Sequence, residues 1–177
     1  RLLLGAGVLM FAGSMWLLSD VAGFTSFSAM AFAVALSRTG IATVMPAANA
    51  SAMRQAPDML ASAAPAATFL TQTGGALGVA ILSALLQDRA AFHAQTLQPL
   101  VNELNGQAVE AMVLLRQALE ESGLAPPAAA AMAGRQMAAA VWASAQLLAF
   151  RDCFMAIALA FIALLPLIPL IPPRAKA

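Results

Sequence analysis

The stretch from Met59 to Gln87 reads MLASAAPAATFLTQTGGALGVAILSALLQ and carries no charged residue. It exceeds the roughly 20 apolar residues that cross the hydrocarbon core of a bilayer. Gly74 and Gly78 stand four apart, on one helix face, and Gly75 lies beside them. Small residues so placed let two helices approach closely in lipid. The stretch therefore reads as a membrane helix built to pack against other helices. A buried Ala-rich helix of a soluble bundle shows the same local pattern, so composition has to separate the two.

Composition favours the membrane. The 177 residues are 62% hydrophobic and 10% charged, whereas soluble domains carry about 25% charged residues. A soluble domain of this size has too little interior to hide so much apolar surface. The net charge of +1 gives no basic footprint for a nucleic acid. One cysteine, Cys153, excludes a disulfide within the chain, and one histidine, His93, excludes a histidine metal cluster within it. No nucleophile–base pair, phosphate loop or metal set is present, so neither catalysis nor a cofactor is expected.

Four apolar segments follow one another: Leu2 to Leu18, Phe27 to Met53, about Leu60 to Leu86, and Cys153 to Ile171. Lipid forces such segments to be helical. The expected fold is an all-α polytopic membrane bundle. Residues 1–87 are read as three spans (about 2–19, 27–53 and 60–87), 88–150 as an extracytoplasmic helical loop, and 151–177 as the last span with a cytoplasmic tail. Pro46 lies inside the second span and Pro65 in the first turns of the third. Pro166 and Pro169 are expected to tilt or unwind the end of the fourth.

The connection between the last two spans is too long for a turn. Val101, Leu104, Ala108, Met112, Leu115 and Leu119 recur every three or four residues, as on one face of an amphipathic helix. Ser122-Gly123 is a helix stop, and Pro126-Pro127 opens a second, Ala-rich helix to about Phe150. This predicts an extramembrane helical hairpin; Ala138 to Phe150 is alternatively a fifth, shallow membrane element. Arg54, Arg174 and Lys176 lie on short segments, while the long connection is acidic. The rule that short basic segments stay inside the cell puts the tail in the cytoplasm and the hairpin outside.

Three patches resemble the C-terminal part of fourteen-span drug:proton antiporters of the major facilitator superfamily, the EmrB/QacA type. They are Gly40-Ile41-Ala42-Thr43-Val44-Met45-Pro46, the Ala61 to Leu86 helix with its glycines followed by Asp88-Arg89 and His93, and Phe150-Arg151-Asp152-Cys153-Phe154 entering the final apolar helix. The resemblance implies the last four spans of such a transporter in the cell inner membrane. It implies alternating access, with protons and hydrophobic small molecules as the transported species. Membrane lipid and missing upstream helices of the same protein are then the expected partners. The chain starts at Arg1, directly before an apolar run, which is expected of a piece whose start lies upstream.

Within this reading Gly40, Pro46, Gly74, Gly75 and Gly78 are helix-packing residues, and Thr71 and Gln72 are polar residues within the membrane. Many relatives place an arginine before the double glycine, where this chain has Thr71-Gln72-Thr73. Arg38 is the coupling candidate, because an intramembrane charge faces a cavity or a partner, and Arg38-Thr39-Gly40 loosely resembles the superfamily's arginine before a glycine. The alternative is a helix that starts later, with Arg38 snorkelling to the surface. A different class of function also fits: a small non-transporting membrane scaffold or assembly protein. Another symporter or uniporter of the superfamily fits as well.

Overall fold

The computed structural model describes residues 2–20, 27–55, 60–100 and 106–170, with side chains described at 2–20, 27–51, 64–99 and 106–169. Every regular element among them is helical. Helix α1 spans Leu2–Ser19, α2 Phe27–Gln55, α3 Leu60–Leu97, α4 Gly106–Glu121 and α5 Pro126–Leu164. A 3-10 turn, Gln98–Leu100, follows α3, and a longer one, Leu165–Leu170, follows α5. The turns at 21–26 and 56–59, Val101, Leu104 and the basic tail with Arg174 and Lys176 lie outside the described residues.

Four stretches are long and apolar enough to cross a membrane: Leu2–Ser19, Phe27–Ser51, Ala64–Leu97 and Pro126–Pro169. Two of them differ from expectation. Helix α3 runs past Asp88-Arg89 to Leu97, and α5 runs unbroken through Arg151-Asp152. Charged pairs mark where a helix can leave hydrocarbon. They do not end the helix, because they neither remove an amide donor nor require a left-handed backbone. The last apolar stretch is 44 residues long, more than twice the roughly 20 a bilayer requires.

Where the local chemistry does end helices, the boundaries follow it. Gly123 has φ of +97°. Its N–H donates to the Glu120 carbonyl at 2.9 Å, and the Leu124 N–H donates to Leu119 at 3.2 Å. This is the paired C-terminal cap that a glycine in left-handed conformation permits. Pro126 is the first residue of α5, where its missing N–H costs nothing. The helix gives way to 3-10 geometry at Leu165, next to Pro166. Pro46 and Pro65 both lie inside continuous helices.

The chain divides into two compact units, residues 1–84 with 151–177, and residues 85–150. In the first, α1 and α2 are antiparallel. Gly7 lies against Gly40, Thr43 and Val44, while Met15 and Leu18 near the other end of α1 cluster with Ala33. The row Ala33, Ser37, Gly40, Val44, Ala47 repeats at three- and four-residue steps, so α2 turns its small side chains to α1. Ala158 of α5 joins the cluster, with Phe154 and Ile157 against it. Phe11 and Phe161 stack at a tilt, centroids 4.5 Å apart, a pairing worth about 0.5–1.5 kcal/mol beyond burial.

Gly40 and Gly7 set the distance between α1 and α2. A Cβ on Gly40 would stand 2.9 Å from the Phe11 nitrogen and 3.0 Å from the Gly7 carbonyl oxygen, both backbone atoms that cannot swing aside. At Gly78 a Cβ would meet nothing within 4 Å. We predict that Gly40→Ala destabilises the isolated chain by about 1–3 kcal/mol, as an overpacked contact does. Gly78→Ala should change stability by less than about 0.5 kcal/mol. Reversible unfolding of both variants in mixed micelles measures the difference, and equal values would contradict the packing described.

Candidate functional site

Hydroxyl-bearing side chains are the commonest polar groups on these apolar helices, and they are satisfied locally. Ser14, Ser19 and Ser37 are buried. Their hydroxyls donate to the carbonyls of Phe11, Trp16 and Val34, three residues back, at 2.6–2.8 Å. Thr39, Thr43, Ser51 and Thr68 bond four residues back in the same way. Bonding to its own helix lets a hydroxyl sit on an apolar surface without an outside partner. No buried polar side-chain atom among the described residues is left unsatisfied.

Thr71 belongs to this group. Its hydroxyl donates to Ala67 at 2.8 Å, so here it is held within α3 rather than shared with a second helix. Gln72 is exposed beside it. No described residue from 64 to 84 is buried, and Gly74, Gly75 and Gly78 all face open space. The face with the strongest helix-packing chemistry in the sequence is therefore uncovered among the described residues.

Arg38 stands apart. Helix α2 begins at Phe27, so Arg38 does not sit at the start of a late helix. Eleven residues precede it, about 16 Å of helix at 1.5 Å per residue, and thirteen follow to the end of the apolar stretch at Ser51. Its side chain is exposed, off the row that meets α1. It makes no hydrogen bond or ion pair among the described residues.

The structure does not bring the sequence candidates into one site. Gly40 is at the α1–α2 contact, Arg38 lies off that contact, Pro46 is exposed, and the α3 residues meet no described neighbour. Gly7 was not singled out by sequence reasoning, although Gly5-Ala6-Gly7 in an apolar helix is a small-residue signal of the same kind. No group of three or more His, Cys, Asp or Glu among the described residues is placed to hold a metal ion.

The second unit holds a cavity of about 700 Å³. Helix α4 contributes Ala108, Val109, Met112 and Val113; α5 contributes Gly134, Met137, Ala138, Val141 and Trp142; Ala94 and Gln98 come from the end of α3 and the turn after it. No charged side chain is among the described residues of the lining. Arg116 and Glu120 pair with each other at 2.7 Å on α4, and the Arg89 guanidinium lies 5.9 Å over the Phe92 ring. The α5 spacing of this lining was not picked out in the sequence, because its background is Ala-rich.

No family model, no curated protein and no solved structure matches the chain.

The two readings of Arg38 make different predictions for insertion. In a translocon insertion assay on the Phe27–Ser51 segment, Arg38→Leu should improve the apparent insertion free energy by about 3 kcal/mol if Arg38 lies near the bilayer centre. A gain below about 1 kcal/mol would place Arg38 at the interface.

Proposed function

We propose that this chain forms the last four spans of a fourteen-span, proton-coupled exporter of hydrophobic compounds, a multidrug antiporter of the major facilitator type in the cell inner membrane. The reading is supported by the three ordered patches that resemble that family. The observation that carries it furthest is the small-residue row Ala67, Thr71, Gly74, Gly78 on α3, a helix of spanning length: a Cβ on either glycine would meet nothing within 4 Å, and such a row calls for helices that other parts of the protein supply.

The proposed mechanism is alternating access. Two helix bundles rock about a site near the midplane, and inward proton flow drives export. The glycine face of α3 supplies a smooth, close contact along which bundles can shift. The segments 2–19, 27–55 and 60–87 contain no Asp or Glu. In this reading the principal proton-carrying carboxylates come from other helices of the transporter. Arg38 would stand opposite such a group, where its positive charge favours the ionised carboxylate. By itself the chain is not expected to transport.

Export is the direct test. Gly78→Leu in the full-length parent should abolish drug-dependent transport in inverted vesicles while expression and insertion stay at parental levels, since leucine is favoured in a bilayer but leaves no room at a close contact. Parental transport by this variant would refute the role given to α3.

Orientation is tested separately. The proposal places Arg54 and the tail in the cytoplasm and the helical loop of residues 88–150 outside. In a Cys153→Ala background, Ser122→Cys should react with a membrane-impermeant thiol reagent in intact cells, and Ser51→Cys only after permeabilisation. The reverse pattern would overturn this topology.

A further inference from the structure

The cavity in the 85–150 unit is built with a regularity that surface irregularities lack. On α5 its wall residues fall at Gly134, Met137, Ala138, Val141 and Trp142. Those steps of three, one, three and one keep one helix face in line for two turns. On α4 the wall is Val109, Met112 and Val113, again one face. The two faces meet where Met112 lies 3.7 Å from the position a Cβ would take on Gly134. That distance is ordinary van der Waals contact, so the Met112 side chain packs on α5 at Gly134.

Three features specify an occupant. The volume of about 700 Å³ falls within the roughly 300–1,000 Å³ of small-molecule sites. No described residue of the lining is ionisable, so among these residues a cation or an anion would lose its hydration without a counter-charge. Met112 and Met137 are adaptable walls, suited to ligands of varied outline. Trp142 offers a flat aromatic surface with one N–H donor, and Gln98 is the one described side chain of the lining that both donates and accepts hydrogen bonds.

We infer that this cavity is a binding site for an uncharged, drug-sized hydrophobic molecule, preferably aromatic, seated between Met112, Met137 and Trp142. The inference does not rest on the transport reading, because binding is measured directly on the chain without export.

The chain has two tryptophans. Trp16→Phe leaves Trp142 as the sole reporter. The full chain in lipid nanodiscs is titrated with the neutral dye N-phenyl-1-naphthylamine, and energy transfer from Trp142 is followed. The expected result is a saturable component. Ala138→Phe places a ring in the cavity and should weaken this component at least about tenfold, because a filled pocket has no room for the ligand. Ala139→Phe adds the same ring one residue away, outside the lining, and should leave it unchanged. Circular dichroism on both variants should show parental helix content.

Tetraphenylphosphonium, a hydrophobic cation of similar bulk, should not displace the dye. Transfer that never saturates, or equal affinity in Ala138→Phe, overturns the inference. Displacement by palmitate but not by neutral aromatic compounds overturns it in favour of an acyl-chain seat. Failure of the dye to bind, together with a dimer that Ala138→Phe dissociates, overturns it in favour of a second copy of the chain.

Discussion

Gly7 and Gly40 bring the backbones of α1 and α2 together with no side chain between them, and the first unit depends on that contact. The Gly7 carbonyl oxygen would lie 3.0 Å from a Cβ placed on Gly40. Once the two axes are this close, the rest of the row follows from helix geometry. Ser37 and Ala33 are buried in step with Gly40, and Met15 and Leu18 close the far end over Ala33 and Ala158. Apolar burial cannot hold such a pair together in hydrocarbon, since lipid tails are as apolar as leucine. What holds it is contact area at short range, which only small residues allow.

The same physics makes α3 the odd member. It has as many small residues as α2 and a better glycine spacing, yet its described face from 64 to 84 is open. Its Thr68 and Thr71 hydroxyls are bonded back into their own helix, so they tolerate lipid or a neighbouring helix alike. Arg38 is less forgiving. A guanidinium about 16 Å into an apolar helix needs water, a carboxylate or a cavity. A glycine face with nothing within 4 Å of it and a charge in mid-helix, off the α1–α2 contact, are what the transport proposal explains together.

Much of the architecture was legible in the residues. Spanning length and low charge marked all four apolar stretches. Gly123 and Pro126 marked a stop and a start because each imposes a backbone state that ends or opens a helix. The ends of α3 and the start of the last apolar helix were not legible. Asp88-Arg89 and Arg151-Asp152 signal an edge of hydrocarbon, and a helix crosses such an edge freely. Local sequence also could not tell which glycines touch. Gly74 and Gly78 look like better contact residues than Gly7, but a contact requires a second surface, and that information is not local. The cavity is non-local in the same sense: residues of α3, α4, α5 and the turn after α3 form it, and of its α4 wall only Ala108 and Met112 lay on the periodic face read from the sequence.

The central claim is that α3 crosses the bilayer with one face against other helices of the same protein. Spin labels placed singly from Ala67 to Ala84 in the full-length parent, reconstituted in nanodiscs, test it through their accessibility to oxygen and to a water-soluble nickel chelate. The account predicts low nickel accessibility throughout. It also predicts oxygen accessibility oscillating with the helical period, with minima at positions 67, 71, 74 and 78 and maxima near 69, 76 and 80. Uniformly high oxygen accessibility would make α3 a lone helix in lipid, and high nickel accessibility would put it in water; either result would contradict the account.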